Sequence, residues 1–252
     1  MSIYNIIRER LIKAYAKYIY NKGCLNKLVF NNNIGTLFVY LDILPILVNK
    51  GFNYLIEIGT GSYSTPAISI KMLRILNNIE FYGIDINNEI VYKLNNLLER
   101  IDLPKNAYCE SFFNLNSFFE IHQQRGIICF EHSIEDILIK MIAEKYGFYE
   151  NNSWDNILLQ CDKLKMEDNN EIVSYFLECI IDKICEYIYN YHNIAIIHHY
   201  ISPLFDKKSF LNLLDRKVLD KLDYYGKIKD INFMHVRFQP NYIGEQYLMG
   251  GL

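Results

Sequence analysis

Residues 55–66 read `LIEIGTGSYSTP`. Three apolar residues and a glutamate run into Gly-x-Gly, then into small hydroxyl residues. The chain has only 12 glycines in 252 residues, and two of them stand here, one residue apart. An apolar run that ends in Gly-x-Gly before a helix signal lets backbone approach a ligand closely. The helix N-terminus that follows offers free N–H groups and positive dipole. Ser64 or Thr65 supplies the cap and Pro66 suits the first turn.

Working outward, short apolar runs alternate with amphipathic ones. `YLIEIGT`, `EFYGIDI`, `NAYCESF`, `GIICFEH` and `NIAIIHHY` read as strands. `STPAISIKMLRILNN`, `NNEIVYKLNNLLERI`, `SFFEIHQQ`, `SIEDILIKMIAEKYG`, 171–191 and `PLFDKKSFLNLLDRKVLDKL` read as helices. Such alternation with short connections predicts an α/β fold with a mostly parallel sheet covered on both faces. The tail `INFMHVRFQPNYIGEQYLMGGL` reads as two strands around Gln-Pro-Asn, an antiparallel hairpin. The full expectation is a doubly wound sheet of about seven strands. Residues 1–50 form an N-terminal helical extension, with helices over 3–22 and 34–49, and 51–252 form the ligand-binding domain. The polar stretch 148–170 breaks the rhythm and reads as a helical insertion, a mobile cover over the site.

Composition narrows the classes. Hydrophobic residues make up 51% and charged residues 22%, and the formal net charge is −3, which is ordinary for a globular protein. No long basic run appears, so no nucleic-acid partner is expected. The six cysteines form no CxxC pair and read as reduced thiols of a cytoplasmic protein. No apolar run reaches the ~18 residues of a membrane span. The oligomeric state is left open, a dimer included.

Two common ligand patterns fail at the glycines. A dinucleotide fingerprint needs a third glycine where Ser64 stands, and a phosphate loop needs Gly-Lys-Ser/Thr. The stretch instead resembles the class I S-adenosylmethionine (SAM)-dependent methyltransferases, whose fold is Rossmann-like. The acid-x-Gly-x-Gly motif is matched by Glu57, Gly59 and Gly61. The acid ending the second strand is matched by Asp85 in `YGIDI`, and the polar position after the third by Glu110 in `YCESF`. The resemblance covers residues 50–140, with Tyr63 departing from a frequent third glycine. It implies SAM as cofactor, held by Glu57, Gly59, Gly61, Asp85, Glu110 and Phe112, with Asp85 on the ribose and Phe112 beside the adenine. It also implies methyl transfer to a small-molecule or peptide acceptor. Two other readings remain: aminopropyl or aminocarboxypropyl transfer on the same fold, and a non-catalytic binding or scaffold protein.

Histidine fits proton removal from an acceptor near neutral pH. His132 in `FEHSIEDI` ends the fourth strand and is the expected base. Glu131, His198 and His199 are expected to face substrate, with alternation sending the two adjacent histidines to opposite faces. Tyr40, Tyr63, Trp154 and Tyr200 are further aromatics expected near the pocket. No tight ligand spacing appears, so no metal site is expected.

Overall fold

The structure is a computed structural model. It describes residues 40–41, 43–61, 64–73, 79–149, 152–200, 206–228, 234–237 and 244–249. The expected helix over 3–22, residues 34–39 and 42 of the one over 34–49, and Tyr63 lie outside the described residues.

Helix α1 spans 43–49 and contains Pro45. It is followed by β1 Tyr54–Ile58, α2 Thr65–Leu73, β2 Glu80–Asp85, α3 Asn88–Arg100 and β3 Ala107–Cys109. Then come α4 Asn116–His122, β4 Gly126–Glu131, α5 Ser133–Lys145, α6 Trp154–Cys161, α7 Met166–Tyr191, β5 Ile194–Tyr200 and α8 Phe210–Ile228. Five strands pair in parallel in the order β3-β2-β1-β4-β5. Beyond them, β7 Gly244–Met249 pairs antiparallel with β5, and β6 Met234–Arg237 pairs antiparallel with β7.

Strand periodicity sorts the core into two layers. Ile56, Ile58, Ile128, Phe130, Ala195 and Ile197 face one side, against α5, α6, α7 and α8. Their alternate neighbours Leu55, Ile127, Cys129, Ile194 and Ile196 face the other, against α1, α2 and α3. Burying each such Ile or Leu contributes about 1.5–3 kcal/mol. With both faces covered, the strands are continuous apolar runs rather than alternating ones.

In this order the chain moves outward from β1 to β2 and β3, and outward again from β4 to β5. The crevice where those directions part, at the C-terminal ends of β1 and β4, is where open α/β sheets hold ligands.

The segment after α5 is firmly packed. Ser153 caps α6 by accepting from the Asn156 N–H, and Ile157 and Cys161 are buried in the same core as α5 and α8. Helix α7 begins at Met166, earlier than the expected start at 171, and runs 26 residues. Its buried stripe Val173, Leu177, Ile180, Ile181 and Ile184 follows helical spacing.

At the opposite edge Asn193 ties β1, β4 and α7 together. Its Oδ1 accepts from the Tyr54 hydroxyl at 3.2 Å and the Gly126 N–H at 2.7 Å, while its Nδ2 donates to the Tyr187 carbonyl at 3.2 Å. Gly126 must be glycine because the Tyr54 ring lies across it: an added Cβ would stand 2.1 Å from Cε2 and Cζ. Gly126→Ala therefore has to displace a buried ring and break its hydrogen bond to Asn193. The expected loss is about 2–4 kcal/mol by urea denaturation; a loss under about 0.5 kcal/mol would show that the ring yields freely.

Candidate functional site

A cavity of about 440 Å³ occupies the crevice, within the usual range for one small ligand. Four loops or helix ends build it. The β1 end gives Ile58, Gly59 and Gly61, and the β2 end gives Ile84, Asp85, Ile86 and Asn87. The turn after β3 gives Glu110 to Phe113, and α5 gives Ser133, Asp136, Ile137, Lys140, Met141 and Glu144. That α5 set repeats at three and four residues, so one helical face looks onto the cavity. Tyr149 and Trp154 complete the outer wall.

The two glycines of the opening motif have different causes. Both take left-handed backbone, with φ of 66° at Gly59 and 61° at Gly61. A Cβ on Gly59 would stand 2.6 Å from the Ser133 Cβ, so this glycine lets the β1 end press against the first turn of α5. A Cβ on Gly61 would meet nothing within 4 Å; its missing side chain leaves open space at the cavity wall. The Gly59 N–H donates to the Ile84 carbonyl at 2.8 Å, which ties the loop to β2.

Glu57 is not a wall of the cavity. It points to the α2 side and is buried, with its Oε2 accepting from the Ser64 hydroxyl. Ser64 Oγ in turn accepts from the Ala67 N–H at 2.9 Å, the N-cap of α2. Burial pushes the Glu57 carboxyl well up from its ordinary range, the Ser64 hydrogen bond counters it, and the charges of Glu131 and Asp85 add to the rise. The motif acid thus fixes the helix that follows the glycines.

Asp85 is buried at the end of β2 and lines the cavity. Its Oδ1 accepts from the Asn87 N–H at 2.9 Å. Burial raises its pKa, and backbone N–H groups of Asn87, Gly61 and Ile86 oppose the rise. Glu110 Oε1 accepts from the Ser111 N–H at 2.8 Å, and the Glu110 N–H donates to the Asp85 carbonyl at 3.0 Å. Phe112 is buried, edge-to-face with Phe113, Phe130 and Tyr187. Its turn is held by Tyr187 of α7, whose hydroxyl donates to the Phe112 carbonyl at 2.7 Å and accepts from the Leu115 N–H at 3.0 Å. Tyr187 and the cavity acid Glu144 were not singled out in the sequence, since nothing local marks them; Asp136, in the acidic run `EHSIED`, does line the cavity.

The residues expected to face substrate lie elsewhere. Glu131, His132, His198 and His199 are not walls of this cavity. Glu131 Oε2 and His198 Nδ1 pair at 2.9 Å across neighbouring strands, as their register dictates. His199, on the opposite face by alternation, is buried under α8 beside Asp215. His132 adopts left-handed backbone, φ 58°, before α5, and its N–H donates to the His198 carbonyl at 2.7 Å. Its Nδ1 meets Glu135 Oε2 at 2.9 Å, and its ring stacks on His199 with centroids 4.9 Å apart. Burial disfavours a charge on His132. The hydrogen bond and charge of Glu135, with Asp215 and Asp136 beyond, outweigh that and hold its pKa at about 9. It therefore already carries a proton at neutral pH, which with its placement argues against the expected role as base. His199 goes the other way, pushed down to about 4 by burial despite Asp215. Asp136 is crowded by protein yet opens onto the cavity; the crowding raises its carboxyl to about 6.

Of the expected aromatics, Phe112 and Trp154 line the cavity. Tyr40 is buried in the core on the α1–α3 side. The Tyr63 residue and the Tyr200 side chain lie outside the described parts.

No protein-family model and no curated relative matches the chain. Among solved structures it is similar to the plantazolicin methyltransferase BpumL in complex with SAH, at 14% identity and a TM-score of 0.47, covering 98% of this chain and 100% of that one. It is similar to magnesium protoporphyrin IX methyltransferase (ChlM) from Synechocystis PCC 6803 with bound SAM, at 13% identity and a TM-score of 0.46, covering 100% and 98%. A human methyltransferase 10 domain containing protein stands at 10% identity and a TM-score of 0.48, covering 98% and 97%.

The two glycines can be told apart by experiment. Gly61→Ala should cost about 1–2 kcal/mol, the strain of a Cβ at positive φ alone. Gly59→Ala carries the same strain plus a collision with Ser133, and should cost at least about 1 kcal/mol more. Equal losses in parallel thermal or urea melts would mean that α5 moves aside without penalty.

Proposed function

We propose that the chain binds S-adenosylmethionine in this cavity and transfers its methyl group to a small-molecule or peptide acceptor. The observation that carries this reading is the charge of the cavity beside the glycine loop. Asp85, Glu110, Asp136 and Glu144 line it, against Lys140 as the one cation among its described walls. A glycine loop at a helix N-terminus can also cradle phosphates. Four carboxylates against one lysine would repel a pyrophosphate. They suit a ligand that carries a sulfonium and an ammonium, so the acid balance separates SAM from a dinucleotide.

In this reading Asp85 accepts hydrogen bonds from the ribose hydroxyls at the end of β2. The open space at Gly61 takes the amino-acid end, and the Glu110–Phe113 turn borders the adenine. Glu57 acts indirectly, by fixing α2 and with it the glycine loop. Methyl transfer is an in-line displacement: the acceptor's lone pair bonds the methyl carbon, the C–S bond breaks, and its electrons stay on sulfur as a neutral thioether. Alignment is the chief requirement. Proton removal is not assigned to His132, which is already protonated and lies outside the cavity walls. The net charge of −3 supports a small-molecule or peptide acceptor over a polyanionic one. Among the described residues no helix is long and apolar enough to cross a membrane.

Calorimetry with SAM and its demethylated product tests the binding step. Affinity of micromolar order, near −8 kcal/mol, is expected. Asp85→Ala should weaken it by about 1.5–3 kcal/mol, the scale of a hydrogen bond to a charged group. No heat and no thermal shift at millimolar ligand would sink the proposal, and an unchanged affinity in the Ala variant would move the ribose elsewhere. Product masses after incubation with candidate acceptors then distinguish methyl from aminopropyl transfer.

A further inference from the structure

On the far side of α5 from the cavity, three ligand-type side chains converge from three elements. His132 comes from the β4 end, His199 from the end of β5, and Asp215 from the second turn of α8. One donor atom of each lies within 4.8 Å of the other two. We propose that His132, His199 and Asp215 form a binding site for a divalent transition-metal ion. The site is separate from the cofactor cavity and stands independently of the methyl-transfer reading.

Geometry makes the first case. Metal–nitrogen and metal–oxygen bonds of about 2.0–2.2 Å put the donors of a tetrahedral site about 3.3–3.6 Å apart. His199 Nε2 already stands 3.4 Å from Asp215 Oδ1, and His132 Nε2 stands 3.9 Å from the same oxygen. The edges that must shorten are the two made by His132, to Asp215 and to His199. The least enclosed of the three is His132, whose side chain is 20% exposed, while those of His199 and Asp215 are 1% and 0% exposed. The partly open histidine also gives an ion its way in.

The surroundings make the second case. His132 Nδ1 faces Glu135 Oε2 at 2.9 Å, which places a proton on Nδ1 and turns Nε2 toward Asp215. A carboxylate behind a ligating histidine is the usual support of such ligands, fixing tautomer and ring orientation. His199 is the independent sign: both its ring nitrogens are buried, Nδ1 makes no hydrogen bond, and Nε2 meets only Asp215 Oδ1, at 3.4 Å and outside good hydrogen-bond geometry. Leaving a buried donor and acceptor unmet is costly, and a metal bond at Nε2 would satisfy one of them. Packing does not demand these residues either. Asp215 lies between Leu214 and Val218 in the buried face of α8, where an apolar side chain would bury without a desolvation penalty.

Ligand chemistry narrows the ion. Two imidazole nitrogens and one carboxylate, with positions left open, suit Zn²⁺, Co²⁺, Ni²⁺ or Fe²⁺ rather than Mg²⁺ or Ca²⁺, which prefer all-oxygen sets.

The test uses the full chain, stripped with a chelator and titrated with Co²⁺ alone while its visible d–d absorption is followed. The expected result is saturation at one equivalent, displacement of the colour by Zn²⁺, and a rise in melting temperature with Zn²⁺. Asp215→Asn and His132→Asn should each weaken Co²⁺ binding by at least about 100-fold. Glu135→Gln, which disturbs only the support of His132, should weaken it by about 10–100-fold. Glu131→Gln, on the other face of the sheet, should leave it within about threefold. Circular dichroism checks folding; should Asp215→Asn fail to fold, the partly exposed His132→Asn decides alone. Absence of a cobalt spectrum in the folded wild-type chain would overturn the proposal. So would equal binding in wild type and His132→Asn, because the ion would then sit elsewhere.

Discussion

The close approach of Gly59 to Ser133 is the constraint from which the site follows. At that point the end of β1 presses against the first turn of α5 with no room for a Cβ. Parallel neighbours β1 and β4 send their helices to opposite faces, α2 to one and α5 to the other. Their connecting loops must therefore separate at the strand ends, and the gap becomes the crevice. A side chain at 59 would wedge α5 away and change the width of that gap. The Gly59 N–H to Ile84 bond and the Glu57–Ser64–Ala67 chain hold the same loop from the β2 and α2 sides. The loop is thus fixed on three sides, while Gly61 keeps open space on the fourth.

Much of this was legible in local sequence. Strand and helix alternation gave the five parallel strands, because strands buried on both faces are short apolar runs that punctuate amphipathic helices. Gly59, Gly61 and Asp85 line the crevice and are local features, a turn at positive φ and a carboxylate at a strand end. What stayed hidden depends on partners distant in sequence. Glu57 reads as a ligand contact until Ser64 is seen to take its carboxylate. Gly59 reads as space for a ligand until Ser133 is seen to fill that space. His132 reads as a free base until Asp215 and Glu135 are seen around it. The polar text of 148–170 reads as a cover, yet Ile157 and Cys161, too sparse to form an obvious stripe, pin it to the core.

Helix α5 divides two electrostatic environments. Its cavity face carries Asp136, Lys140 and Glu144. Glu135 turns away to meet His132, with Asp215 close behind. Burial raises the Glu135 carboxyl, while Asp215 is held below its ordinary range by its contacts with His199 and Glu135 even though burial opposes this. Two carboxylates so placed cannot both ionise cheaply without a cation between or beside them. The His132 ring, whose pKa the neighbouring carboxylates raise to about 9, can supply that positive charge.

Backbone movement cannot carry a signal between the two environments, because the residue that joins them is pinned. The His132 N–H is bonded to the His198 carbonyl, and the next residue, Ser133, is held against Gly59. Charge can carry one. Asp136 is pushed up first by crowding, then by the charges of Asp85 and Asp215, and is drawn down by His132. Its ionisation on the cavity wall is therefore set partly by the positive charge held on the far side of α5. Removing that charge would favour the neutral carboxylic acid at Asp136 and weaken the acid balance of the cavity; a doubly charged ion in its place would act in the opposite sense. The acidity that suits the cavity to a cationic ligand is in this way sustained from behind the helix as well as from within the crevice.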